Sequence, residues 1–145
     1  MKKITYQINI DAPKQKVWDT MLQLDTYQEW IGAGWPGSFY RGSWATGETV
    51  DFVSANGSGT RALIKEIDSN AIHAEHVAVL LPGGEADTTS EMAKNWVGIT
   101  ENYQLTESGG TTQLVGDINA EPQWEPMYNE GFPNAFRKLK EICER

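Results

Sequence analysis

The stretch "WEPMYNEGFPNAFRKLKEIC", Trp124 to Cys143, decides the fold. Trp124, Tyr128, Phe132, Phe136, Leu139 and Cys143 recur at steps of 4, 4, 4, 3 and 4, which is one face of a helix. A face carrying so many rings needs a broad apolar partner. Pro122 opens this helical region. Gly131 and Pro133 fall inside it. Proline lacks a backbone donor and crowds the preceding turn, so a kink or two consecutive helices is expected there.

The partner lies upstream. Ile4, Tyr6, Ile8 and Ile10 alternate with Thr5, Gln7 and Asn9, a half-buried strand. Asp11-Ala12-Pro13 then starts a helix whose face carries Val17, Met21 and Leu24, widened by Trp18 and Leu22. Thr26 with Glu29 reads as a capping box opening a second short helix that ends near Gly32. Beyond it, turn signals recur at Asn56-Gly57, Asp68-Ser69-Asn70 and Ser108-Gly109-Gly110. They delimit expected strands at about 47–54, 60–67, 71–81, 94–106 and 111–119, with a polar tip from Pro82 to Lys94. One strand, two short helices, a run of hairpin-linked strands and a long helix make an α+β chain. Six or seven antiparallel strands twist and curl, and the last helix covers the concave face.

Length and charge narrow the function classes. With 145 residues the expected organisation is one domain over 1–145. The net charge of −8 and the scattered basic residues argue against nucleic-acid partners, which demand a concentrated positive footprint. Lys2-Lys3 and Arg137-Lys138-Lys140 read as solvated positions. Cys143 is the single cysteine and sits in the apolar stripe, as core filler. The N-terminus lacks the apolar core of a secretory signal, and no run approaches the ~18 apolar residues of a membrane span, so a cytoplasmic location without membrane insertion is expected. His73 and His76 would point to opposite faces of a strand, and no metal-ligand spacing appears; neither a metal nor a cofactor is expected. Gly32-Ala33-Gly34 and Gly57-Ser58-Gly59 lack the strand-loop-helix context of phosphate loops.

The order of elements, with "INIDAPKQKVWDTM", "YQEW", "GITENYQLTESGGTTQLV" and "GFPNAFRKLKEI", resembles the START-like or SRPBCC superfamily. It is most similar to the branch named after activators of a chaperone ATPase. The resemblance covers nearly the whole chain. It implies a helix-grip fold, a seven-stranded antiparallel sheet wrapped around the C-terminal helix with a cavity between them. It also implies a small apolar partner of lipid, sterol or polyketide type. Fold alone does not settle function, because the superfamily also holds cyclases and hydrolases.

On that frame the glycine-rich segment "EWIGAGWPGSFYRGSW", Glu29 to Trp44, falls at the cavity mouth. Trp35 reads either as a mobile apolar rim over a ligand or as a plug at the end of the core, Trp30 as a ring packed inside, and Trp44 as wall or plug. Strand parity adds Phe52, and on the 71–81 strand it groups Ile72, Ala74, His76, Ala78 and Leu80 as the inward face. Tyr103, Met127, Phe132 and Phe136 complete the expected ligand-binding set. Glu101 is the anomaly, since alternation with Val97, Ile99, Tyr103 and Leu105 buries its carboxylate. Either it pairs with His76, Arg41 or Arg61, or a bulge near Gly98 turns it outward. Three functions remain open: a binding protein for a small apolar molecule, a cyclase, dehydratase or hydrolase using Glu101 and His76, and a co-chaperone-like interaction module.

Overall fold

In the computed structural model, which describes residues 2–145, the alternating N-terminal segment forms strand β1 (Lys2–Ile10). Helix α1 (Lys14–Leu22) follows with Pro13 at its cap position. Its first amide is held by a distant carboxylate, Lys14 N–H donating to Glu107 at 2.6 Å. Helix α2 (Leu24–Gly32) begins two residues before the expected capping threonine. Thr26 therefore lies inside the helix, where its hydroxyl donates to the Thr20 carbonyl at 2.6 Å instead of capping. The expected capping box is not formed.

Strands β2 (Phe39–Gly42), β3 (Thr49–Val53), β4 (Gly59–Ile67) and β5 (Ala71–Leu80) come next. A two-residue strand β6 (Ala86–Asp87) and a single helical turn α3 (Glu91–Lys94) occupy the segment read as a polar tip. Strands β7 (Thr100–Ser108) and β8 (Thr111–Ala120) precede a 3-10 turn at Pro122–Trp124 and the long helix α4 (Glu125–Cys143). The sheet runs β1-β8-β7-β5-β4-β3-β2, antiparallel throughout, with β6 added beside β5. This is an α+β helix-grip architecture.

Three differences from the sequence reading have local causes. Strand β2 lies in the glycine-rich segment, where composition hides it. It forms because Phe39, Tyr40 and Arg41 pair with Val53, Phe52 and Asp51 of β3. The strand expected from residue 94 starts at Thr100, because α3 and the turn after it take up residues 91–99. Helix α4 runs through Pro133 as one element instead of two. Its buried face, from Tyr128 through Phe132 and Phe136 to Cys143, supplies the context that keeps it whole.

The core divides along α4. Its C-terminal half buries Ala135, Phe136, Leu139, Ile142 and Cys143 against β1, β8, α1 and α2. Phe136 sinks toward the sheet because Gly116 of β8 has no side chain; a Cβ there would stand 3.2 Å from the Phe136 ring. Lys138 and Lys140, read as solvated, pair with Glu29 and Glu141 and with Glu144 respectively. Among the described residues no helix is long and apolar enough to cross a membrane.

Candidate functional site

The N-terminal half of α4 touches the sheet at β1, where Tyr6 stacks on Phe132 with centroids 5.1 Å apart and donates to Asn129 at 2.6 Å, but leaves space against the strands beyond. Between them lies a cavity of about 560 Å³, bounded by Trp124, Met127, Tyr128 and Phe132 on the helix side. The opposite wall comes from Phe52 of β3, Thr60 of β4, His76 and Val79 of β5, and Glu101 and Tyr103 of β7. Trp96, in the turn after α3, and Ile31 and Trp35, at and after the end of α2, also line the cavity.

Parity explains most of this wall. In β5 the residues grouped as inward are all buried, but Ala78 stands opposite Arg61 of β4, on the face away from Thr60, so the inward grouping fails there. A register shift against β4 then leaves Val77 without an opposite residue, and this sets Val79 facing Thr60, which itself faces Phe52. So Val79 joins the wall, although strict alternation assigns it to the other face. His73 takes the outer face and bonds to Asn102 at 3.0 Å, opposite in direction to His76.

Glu101 faces inward. A backbone irregularity does exist at Gly98, with φ of +95°, but it precedes β7 and so leaves the alternation from Thr100 onward intact. Across this junction the His76 amide donates to the Ile99 carbonyl and the Gly98 amide to the His76 carbonyl, each at 2.8 Å, which holds this part of β5 beside the start of β7. His76 Nε2 lies 3.2 Å from Glu101 Oε1, and the Tyr103 hydroxyl donates to Oε2 at 2.6 Å. On the other side His76 Nδ1 lies 3.0 Å from Thr60 Oγ1. The chain Thr60-His76-Glu101-Tyr103 is satisfied throughout when a neutral imidazole donates through Nε2 and accepts from threonine at Nδ1. Arg61 is engaged elsewhere, donating to both oxygens of Asp51 at 2.8 and 3.2 Å. Arg41 lies over the Phe39 ring. Neither is the partner of Glu101.

The side chain of Glu101 is 16% exposed and that of His76 4%. Burial alone would raise the Glu101 carboxyl. The His76 bond and charge and the Tyr103 bond outweigh it and hold the carboxyl below its ordinary range. Burial, then the Glu101 charge, pushes the Tyr103 phenol well up, and Tyr27 is raised by the same causes in the same order. Both therefore stay protonated at neutral pH. The Cys143 thiol is buried in the core, and burial pushes it up as well.

Trp35 answers for the glycines around it. Its indole lies across Gly131 of α4, where a Cβ would stand 2.7 Å from Cε2. Gly34 approaches the same point, where a Cβ would stand 3.0 Å from the carbonyl carbon of Gly131. Two glycines thus let a loop and a helix touch backbone to backbone with an indole seated beside them. Trp35 packs edge-on to Phe132 with centroids 5.0 Å apart, and its amide bonds the Ile31 carbonyl at 2.8 Å. These contacts seat the indole between the loop and α4.

Of the residues singled out from sequence, Trp35, Phe52, His76, Tyr103, Met127, Phe132 and Glu101 come together at the cavity. Trp30, Trp44 and Phe136 stand behind its wall. Trp30 is buried with its N–H donating to the Met21 carbonyl at 3.2 Å, and Phe136 fills the space above Gly116. Trp44 packs against Tyr40 and Phe52 with centroids 5.5 and 5.8 Å away. Sequence reasoning missed Thr60, Val79 and Trp96. For Val79 the signal is a bulge invisible in one sequence, and for Trp96 the strand assigned to its turn concealed it. Among the described residues no three His, Cys, Asp or Glu side chains gather closely enough to hold a metal ion.

No protein-family model and no curated protein matches the sequence. The fold does match solved structures. The solution structure of an Aha1 dimer from Colwellia psychrerythraea superposes with a TM-score of 0.74 at 18% identity, covering 99% of this chain and 97% of that one. A crystal structure of a Mesorhizobium loti protein gives 0.73 at 15% identity, over 97% and 96% of the two chains. A solution structure from Staphylococcus epidermidis gives 0.68 at 19%, over 97% and 88%. At these identities the likeness establishes the helix-grip fold and nothing of ligand or partner.

Proposed function

We propose that this chain binds a small, largely apolar molecule in the cavity between the sheet and the N-terminal half of α4. One observation carries the reading: about 560 Å³ of space under a helix whose other half is packed solid. Ligand pockets commonly measure roughly 300–1,000 Å³, mostly apolar with a few convergent polar groups. Here the apolar part includes Phe52, Trp96, Trp124 and Phe132, and the polar part includes Glu101, His76 and Thr60, with Ser38, Ser54 and Asn56 also in the lining. The test is a fluorescence titration with the uncharged probe N-phenylnaphthylamine, alongside native mass spectrometry. The expected result is saturable binding of one probe per chain with a raised melting temperature. A titration without saturation and without a thermal shift would remove the proposal.

A second reading has its own observation. The Glu101 and His76 side chains sit 3.2 Å apart beside a cavity, within reach for proton transfer to a bound molecule. That arrangement would serve a cyclase, dehydratase or hydrolase. Recovery of a bound compound with changed mass from wild type, and unchanged from Glu101→Gln, would favour it. The co-chaperone reading has in its favour the likeness to the Colwellia protein, which carries the fold only.

A further inference from the structure

Resting on that binding reading, we infer that the cavity prefers an organic cation, a hydrophobic amine, over neutral or anionic molecules of the same shape. The inference comes from the inventory of charge in the wall. No lysine or arginine lines the cavity among the described residues. Glu101 is the only carboxylate there, and its donors are the uncharged Tyr103 hydroxyl and the His76 imidazole. The wall thus offers a carboxylate in apolar surroundings with no lysine or arginine beside it to offset its charge. A fatty-acid-like ligand would bring a second negative charge beside it. An ammonium group would neutralise it.

Glu101 has room for such a partner. A carboxylate offers roughly four lone-pair sites. Tyr103 and His76 occupy one on each oxygen. Its side chain is 16% exposed, and Glu101 lines the cavity. Rings line the same cavity around His76, the partner of Glu101. Phe52 lies 5.9 Å and Trp96 6.4 Å from the His76 ring, centroid to centroid, and Trp124 lies 5.7 Å from Trp96. Aromatic faces attract cations through their quadrupole, most strongly for tryptophan and most strongly when water is excluded. Carboxylate and rings thus favour the same ligand charge. The net charge of −8 adds long-range attraction of the same sign.

The experiment compares naphthylethylamine, naphthylethanol and naphthylacetate by isothermal titration calorimetry on the full chain at pH 7. The expected order is amine, alcohol, acetate, with the amine ahead of the alcohol by about tenfold, the factor that ~1.4 kcal/mol represents. Glu101→Gln is expected to erase that advantage. His76→Gln keeps a donor to the carboxylate and is expected to retain it. Should Glu101→Gln fail to fold, the wild-type order decides alone. Equal binding of amine and alcohol, or tightest binding of the acetate, overturns the cation preference and leaves the cavity reading standing. So does loss of amine binding while N-phenylnaphthylamine still binds. Failure of all four compounds removes both.

Discussion

At the scale of single residues, Glu101 decides most. Its carboxylate is held ionised by His76 and Tyr103 against the cost of burial. A group whose pKa is depressed on folding adds stability that is full above its unfolded value. That stability is lost as pH falls through the lower, folded value. For Glu101 the loss begins near the ordinary value of 4.5 and runs downward. Glu101→Gln should therefore cost about 1–3 kcal/mol at pH 7, the range for disturbing a buried hydrogen-bonded group. The gap to wild type, read from urea unfolding, should narrow as pH falls below that value. A gap independent of pH would contradict an ionised, paired carboxylate. The anomaly itself was legible, since alternation alone marked Glu101 as a buried charge. Its partner was less so, because His76 stands 25 positions away and only the pairing of β5 with β7 brings them together.

At the scale of elements, α4 and the loop before β2 are coupled through Gly131, Gly34 and Trp35. Alanine at an ordinary helix interior position stabilises by roughly 1 kcal/mol over glycine. At Gly131 the new methyl group would collide with the indole, so Gly131→Ala should instead destabilise by about 1–3 kcal/mol, the usual cost of overpacking. In a Trp35→Ala background the same change should become stabilising, because only the helix preference remains. A double-mutant cycle by thermal or urea unfolding reads this reversal of sign. The same cost in both backgrounds would show that Trp35 is not what Gly131 accommodates. The sequence marked the two glycines as irregularities, one in a loop and one breaking a helix. Their common purpose was hidden, since it is a contact across about a hundred residues of chain. Hydrophobic period did identify α4, β1, β4, β5 and β8 close to their observed bounds. It failed at β2 and over 91–99, where tertiary pairing and a one-turn helix outweigh local composition.

At the scale of the whole molecule, one helix does two jobs. Its C-terminal half, from Ala135 to Cys143, closes the core, while Trp124, Met127, Tyr128 and Phe132 leave space under its N-terminal half. The helix-grip architecture was readable from the order of elements. How solidly each half packs was not, because packing depends on Gly116 lying under Phe136 and on Trp96 reaching the cavity wall. The six tryptophans sort with this division. Trp35, Trp96 and Trp124 border the cavity, and Trp18, Trp30 and Trp44 do not. Their indole N–H groups give six reporters in a single nitrogen–proton correlation spectrum. Titrated with N-phenylnaphthylamine, the signals of Trp35, Trp96 and Trp124 should move together and saturate, with those of Trp18, Trp30 and Trp44 unmoved. Shifts confined to the second group, or a spectrum unchanged at saturating probe, would contradict a ligand-holding cavity beneath α4.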